Sequence, residues 1–106
     1  MTKMLVYATA ANIDQAQAIA RAVVEKNLAA CVNIFPKMES VYRWQGKVKT
    51  AEEIAMIIKT TENRLTELEK TFRALHSYDV PAFVAIEIKK GYSPFLQWIE
   101  DNTKPV

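Results

Sequence analysis

The stretch LAACVNIFPKMESVYRW-QG-KVKTAEEIAMIIKT, residues Leu28 to Thr60, decides the fold of this chain. Two segments rich in β-branched and aromatic residues flank a turn at Gln45-Gly46, which is typical of a β-hairpin. The second segment, Lys47–Thr60, would extend about 46 Å at about 3.3 Å per residue. The predicted helix before the hairpin, Ile13–Lys26, would span only about 21 Å at about 1.5 Å per residue. Because so short a helix cannot cover so long an arm, and bare strand edges invite pairing, the hairpin predicts an oligomer.

The segments around the hairpin complete a β-α-β-β-α-β order with a further helix at the C-terminal end. This is the order of the ferredoxin-like fold, an α+β sandwich with both long helices on one face of an antiparallel sheet. Pro36 cannot donate a hydrogen bond within a sheet, so a bulge or an edge position is expected there. Strand one is predicted at Lys3–Thr9 and the last strand at Ala82–Ile88. The first helix is predicted to be capped by Asn12 with Gln15 and to stop at Asn27. The second helix is predicted to start at Thr60-Thr61, and the third at Ser93-Pro94.

Length and composition fit one domain, residues 1–106, with an ordinary globular balance of 50% hydrophobic and 25% charged residues. A net charge of +2 gives no dense basic face, so no nucleic-acid partner is expected. The longest early apolar run, Met4–Ala8, is too short for a signal peptide or a membrane span, so no membrane partner is expected either. The single cysteine, Cys31, excludes an intrachain disulfide, and this usage fits the cytoplasm.

Alternation along the strands predicts two different sheet faces. The even positions are uniformly apolar and are expected to meet the helices: Leu28, Ala30, Val32, Ile34, Ile54, Met56, Ile58, Ala82, Val84, Ile86 and Ile88. The odd positions, from Cys31 through Glu53 and Lys59 to Glu87, mix apolar and polar side chains. Such a mixture is typical of a face that meets another subunit or lines a site between subunits, and a partly solvated face is the equal alternative.

Few residues offer site chemistry, and each has a structural alternative. His76, the only histidine, is either a helix-end residue interacting with the dipole or a metal ligand. Cys31 is either a small buried hydrophobe or a soft-metal ligand. Lys59 could meet an anion or stay solvated, and Glu53 cannot easily share an ion with Glu52 because adjacent strand residues point to opposite faces.

Trp44 at the hairpin tip is costly to leave in water, which favours contact with a partner.

Several enzyme classes are excluded by missing motifs. The sequence has no phosphate-binding glycine loop and no Gly-x-Ser-x-Gly elbow, and the loop before helix one lacks the cation that acylphosphatase chemistry needs. The central strand Ile54–Thr60 has no stacking aromatics of the kind that RNA-recognition modules use. We therefore predict that the chain is not an enzyme, and an unrecognised hydrolase using His76 is the third hypothesis.

Over almost its whole length the sequence resembles the CutA family of divalent-cation-tolerance proteins. The matching residues are Leu28-Ala-Ala-Cys-Val-Asn-Ile, Tyr42-Arg-Trp-Gln-Gly-Lys47, Glu53 with Met56 and Lys59-Thr60, His76 with Tyr78 and Val80-Pro81, and Trp98. The resemblance implies a ferredoxin-like subunit in a homotrimer built by strand pairing across chains, with a role in the response to divalent metals such as copper.

The resemblance also directs the site predictions. We expect a ligand-binding cleft between subunits formed by Cys31, Trp44, Glu53, Lys59, Tyr78 and Trp98, with His76 as the metal ligand. Ala8 and Leu75 replace a Cys and a His of a relative with proposed copper ligands, so a divalent cation would bind weakly. A small anionic ligand meeting Lys59 is the other expectation, and a nucleotide- or small-molecule-binding regulatory trimer like the nitrogen-signalling proteins is the alternative function.

Overall fold

A four-stranded antiparallel sheet in the order β2-β3-β1-β4 forms one layer of the molecule, and the helices form the other. The computed structural model describes residues 1–105. The strands are β1 (Lys3–Ala10), β2 (Cys31–Trp44), β3 (Lys47–Thr61) and β4 (Phe83–Glu87), and the helices are α1 (Ile13–Glu25), α2 (Leu65–Leu75) and α3 (Ser93–Asp101). The predicted ferredoxin-like order with a long central hairpin and a C-terminal helix is confirmed.

Helix α1 begins and ends where its sequence signals predict. The Asn12 side chain accepts a hydrogen bond of 2.8 Å from the Gln15 backbone N–H, which satisfies one of the free donors of the first turn. The Gln15 side chain reaches back to accept from the Ala11 N–H. At the other end Asn27 takes a left-handed φ of 58°, and the chain leaves the helix toward β2.

The start of the second helix differs from the prediction. Thr60 and Thr61 are both buried at the end of β3. Neither side chain caps α2, because a short 3₁₀ turn, Glu62–Arg64, lies between β3 and the helix. The Thr60 hydroxyl instead donates to the Leu28 carbonyl. The two threonines, which are typical of a helix cap in the sequence, are therefore core residues at the end of β3.

The β2-β3 hairpin contains the irregularity predicted at Pro36. The residue pairs run without interruption to Phe35 opposite Ala55, and the next pair is Met38 opposite Glu53. Three residue steps on β2 thus match two on β3, which is a β-bulge, and Lys37 adopts a left-handed φ of 60° within it. The extra residue reverses the alternation of β2. Beyond the bulge, even-numbered residues of β2 share a face with odd-numbered residues of β3.

The core lies between the helices and one face of the sheet. Val6, Met56 and Ile58 are fully buried in neighbouring strands, and Ile19 of α1 with Phe72 of α2 covers them. Full burial of a side chain of this size contributes about 1.5–3 kcal/mol to folding. The predicted helix-facing positions of β3 are therefore confirmed, and Leu68 and Phe72 form the buried face of α2.

The predicted faces of β4 are wrong. Phe83 lies opposite the buried Ala8, while Val84 lies opposite Tyr7, so odd positions of β4 face the helices. Val84 and Ile86, which were expected in the core, are 55% and 59% exposed. The physical reason is a contact across the chain: the Phe83 ring packs at 5.2 Å from that of Phe72. The aromatic ring, rather than the aliphatic pair, fills the space beneath α2.

The face of the sheet away from the helices is open. Tyr7, Phe35, Val84 and Ile86 lie on it, each at least 36% exposed. It also carries Cys31 and Lys59, which lie opposite each other. This is the mixed face that the odd positions of β2 and β3 predict, made more apolar by the side chains of β4.

None of the helices within residues 1–105 is long and apolar enough to span a membrane.

Candidate ligand-binding cleft

A cleft of about 760 Å³ lies between the hairpin beyond the bulge and the segment that joins α2 to β4. Its volume is within the range of small-molecule sites. Four aromatic side chains line it, namely Tyr7, Tyr42, Trp44 and Tyr78. The charged residues that line it are all acidic: Glu39, Glu53 and Asp79. The cleft is thus aromatic and negatively charged, although the chain as a whole has a net charge of +2.

Glu53 carries the buried charge of the cleft. The residue is only 8% exposed, and its Oε2 accepts a hydrogen bond of 3.0 Å from the Tyr78 hydroxyl. Burial, followed by this hydrogen bond and the negative charge of Glu53, raises the pKa of Tyr78 to about 12. Tyr78 therefore remains a protonated donor at neutral pH, and Glu53 remains the acceptor.

His76 holds Tyr78 in place. Its Nδ1 accepts a hydrogen bond of 3.1 Å from the Tyr78 backbone N–H, so the proton of the neutral ring is on Nε2. That nitrogen lies 2.7 Å from the Thr9 carbonyl oxygen and donates to it. The imidazole consequently ties the α2-β4 segment to β1, and it packs against the rings of Phe72 and Tyr78.

The bulge in β2 determines which side chains reach the cleft. Because of the extra residue, Met38, Tyr42 and Trp44 share a face with Glu53. The Tyr7 hydroxyl of β1 extends across to the Met38 sulfur at 3.4 Å. Without the bulge, the aromatic residues of the hairpin would point to the opposite side from the carboxylate.

The structure brings together three of the seven predicted site residues: Trp44, Glu53 and Tyr78 line the cleft. His76 lies directly behind it. Cys31 and Lys59 lie further along the open face, since Lys59 is six positions from Glu53 along β3, or about 20 Å. There the Lys59 ammonium donates to the Asn33 side chain.

Trp98 is not among the residues that line the cleft either. It lies on α3, 42% exposed, with its ring stacked on that of Phe95.

The sequence did not predict Tyr7, Tyr42 or the acidic lining residues Glu39 and Asp79 as part of the site. Tyr42 could have been found, because Pro36 predicts a bulge and a bulge reverses the alternation that places Tyr42 beside Glu53. Tyr7 had no such signal. Its position depends on the pairing of β1 with β3, which joins residues fifty positions apart in the sequence.

The residues do not fit a resident metal ion. Among residues 1–105 no group of three or more His, Cys, Asp or Glu side chains is placed to hold one. Both ring nitrogens of His76 are also engaged in hydrogen bonds, and a metal ligand needs one of them free. The prediction that His76 binds a metal remains untested, but the geometry gives the ring a structural role.

Comparison with known proteins agrees with the fold and with the resemblance. The family model described as CutA1 divalent ion tolerance protein matches residues 4–102. The divalent-cation tolerance protein CutA of Archaeoglobus fulgidus is 42% identical over 99 residues, which cover 93% of this chain and 96% of that protein.

Solved structures give the same result. The crystal structure of CutA1 from Oryza sativa has a TM-score of 0.95 at 41% identity and covers 98% of this chain and 95% of that one. The divalent cation tolerance protein of Thermus thermophilus has a TM-score of 0.94 at 41% identity, covering 96% and 99% of the two chains. With matches of this extent in sequence and structure, the chain belongs to the CutA family of divalent-cation tolerance proteins.

Proposed function

We propose that this protein is a homotrimer that takes part in the response to metal ions as a binding or sensing scaffold, with ligand clefts at the contacts between chains. It acts without catalysis and works in the cytoplasm, where its one cysteine stays reduced. The observation that carries the proposal is the open sheet face, on which Tyr7, Phe35, Val84 and Ile86 leave apolar surface in water. Contiguous apolar surface of this kind is typical of a subunit contact.

The hairpin supports the same assembly. Among residues 1–105, the segments beyond the bulge, Met38–Trp44 and Lys47–Glu53, pair only with each other. A two-stranded ribbon is at best marginally stable alone in water. Val41 and Val48 are more than 60% exposed on it, so a second copy of the chain would stabilise it by covering these side chains.

Assembly is tested by sedimentation at micromolar concentration with a matched pair of variants. The wild-type chain is expected to sediment as a trimer. Val84→Lys places a charge on the open face and is expected to give monomers, because an unpaired charge is costly in an interface. Val24→Lys on the exposed side of α1 makes the same change elsewhere and is expected to leave the trimer intact. A monomeric wild-type chain would rule the assembly out.

The alternative function, a small-molecule regulator, is supported by the cleft itself. Its volume and its aromatic lining are those of a site for an organic ligand. A nucleotide fits poorly, because its phosphate groups would meet Glu53 and Asp79, and none of the described residues that line the cleft is basic. Thermal-shift screening separates the two functions, since a specific ligand raises the melting temperature by mass action.

A further inference from the structure

The most informative group in the cleft is the carboxylate of Glu53. Glu53 is 92% buried. Among residues 1–105 its carboxylate accepts one hydrogen bond, from the neutral hydroxyl of Tyr78. None of the ion pairs in that part of the chain includes it. A buried carboxylate without a cation is costly, because a neutral donor replaces only part of the lost hydration.

The second carboxylate oxygen is available to a ligand. Tyr78 occupies Oε2, and no buried side-chain oxygen in the described residues is left without a hydrogen-bond partner. Oε1, which has no protein donor, is therefore accessible from the cleft. A single free oxygen suits a compact charge such as an ammonium group, whereas the planar guanidinium binds best to two oxygens at once.

The walls of the cleft favour the same charge. Tyr7, Tyr42, Trp44 and Tyr78 each leave more than a third of their surface exposed, and aromatic faces attract cations within about 6 Å of the ring centre. Asp79 adds negative charge, and no Lys, Arg or His is among the described residues that line the cleft. A hydrated metal ion is disfavoured, because aromatic rings offer no hard ligand and the carboxylates do not converge.

We infer that the cleft binds a protonated alkylamine, with the ammonium group on Glu53 and the alkyl part against the aromatic walls. The inference rests on the proposed function, because it names the ligand class of the same scaffold cleft. Two sources have this chemistry: a free amine, and the side chain of a lysine from a second copy of the chain.

The test uses butylammonium as the probe, with butyrate and butanol as anionic and neutral probes of the same length. Indole N–H signals in the nitrogen-proton NMR spectrum report on the site, because Trp44 lines the cleft and Trp98 does not. Butylammonium is expected to shift the Trp44 signal in a saturable way and to leave the Trp98 signal unchanged. Equal effects from butyrate or butanol would overturn the inference.

Two variants and their controls identify the residue responsible. Glu53→Gln keeps the shape and an acceptor for Tyr78 while removing the charge, and is expected to weaken binding by about tenfold or more. Glu52→Gln makes the same change one residue away on the opposite face and is expected to leave binding unchanged. Tyr42→Leu removes one wall on the exposed ribbon and provides a second test that does not touch the core. Unaltered binding in both Glu53→Gln and Tyr42→Leu would overturn the inference.

Sedimentation of the same variants separates the two sources. If the ammonium group comes from a neighbouring lysine, Glu53→Gln lowers the association of the chains, Glu52→Gln does not, and free butylammonium binds weakly. If the ligand is a free amine, binding is lost in Glu53→Gln and the association is unchanged. Glu53→Gln affecting neither amine binding nor association would overturn the inference. A monomeric wild-type chain that binds butylammonium would overturn the proposed assembly alone.

Discussion

His76 shows how much of one side chain's role is set by its hydrogen bonds. In the sequence it is the only histidine and the natural candidate for metal binding. In the structure its two nitrogens connect the Thr9 carbonyl to the Tyr78 N–H. These hydrogen bonds fix the tautomer of His76 and hold the segment that carries Tyr78. The imidazole therefore affects the cleft by positioning Tyr78.

His76→Ala is therefore expected to lower the stability of the protein and to leave copper binding weak and unchanged. Loss of the two hydrogen bonds leaves the Thr9 carbonyl and the Tyr78 N–H without their partner, at a cost of about 1–3 kcal/mol in the free energy of unfolding. Denaturant unfolding at fixed protein concentration measures the loss, and calorimetric copper titration measures the binding. Tight copper binding that disappears in the variant would make His76 a metal ligand after all.

Tyr78 gives the protein an alkaline limit of stability. Its pKa rises from an ordinary 10.0 to about 12 in the folded chain, through burial first and then Glu53. Between these two pH values the folded chain binds the proton and the unfolded chain loses it, so stability falls as the pH rises. The contribution is complete below about pH 10 and is lost as the pH passes about 12.

Tyr78→Phe is expected to flatten this alkaline dependence. The comparison is between the slopes of the variant and the wild type from pH 9 to 12, so that contributions common to both proteins cancel. Urea unfolding at several pH values gives both slopes. Tyr92→Phe, at a residue 76% exposed, is the control and should retain the wild-type slope. Equal slopes in all three proteins would contradict the assigned cause.

Among the elements, helix α3 is held to the sheet by a charge pair at its C-terminal half. The Lys3 ammonium of β1 donates to the Glu100 Oε1 at 3.0 Å. This hydrogen bond, then the positive charge of Lys3, lowers the pKa of Glu100 from its ordinary 4.5. The stabilisation is therefore complete above about pH 4.5 and is lost as the pH falls through the lower folded value.

Glu100→Gln is expected to remove part of the acid sensitivity of folding. The variant should be less stable than the wild type at pH 7, and the difference should be smaller at pH 3, because Glu100 loses its charge as the pH falls through its lowered folded pKa. Melting temperatures at the two pH values test this. Glu69→Gln removes the carboxylate of an exposed ion pair with Arg73 within α2 and is expected to have little effect at either pH. A constant difference between Glu100→Gln and wild type would contradict the role of charge.

Considering the molecule as a whole, the hairpin extends it to 44 Å in its longest dimension, against 26 and 22 Å in the others. Among residues 1–105 no further strand pairs with the ribbon beyond the bulge. In an isolated chain its backbone amides would exchange with solvent through local opening, much faster than those of β1 and the adjoining half of β3.

Hydrogen exchange read by mass spectrometry is expected to show this difference only in dissociated protein. Peptides from residues 41–50 should exchange slowly in the wild type at micromolar concentration, because the proposed trimer would cover the ribbon with a neighbouring chain. They should exchange rapidly in Val84→Lys, while residues 54–60 remain protected in both proteins. A ribbon that exchanges rapidly in the wild type would contradict the proposed assembly.

Local signals made much of this fold predictable, and contacts between distant segments account for the rest. Asn12 and Asn27 act within one turn of their own helix, so their roles follow from neighbouring residues. The orientation of β4 depends on the Phe83 ring meeting Phe72, which no pattern within a five-residue strand contains. The cleft needs three strands and the α2-β4 segment together, so the sequence predicted Glu53, Trp44 and Tyr78 as site residues but not Tyr7.

The extra residue at the bulge also bears on how this gene can change over time. Substitutions along the exposed ribbon alter one side chain at a time and leave the others where they are. Loss of the single codon for Lys37 would turn Tyr42 and Trp44 to the opposite side in one step, away from Glu53. Descendants that keep the cleft must therefore preserve the length of this segment more strictly than its composition.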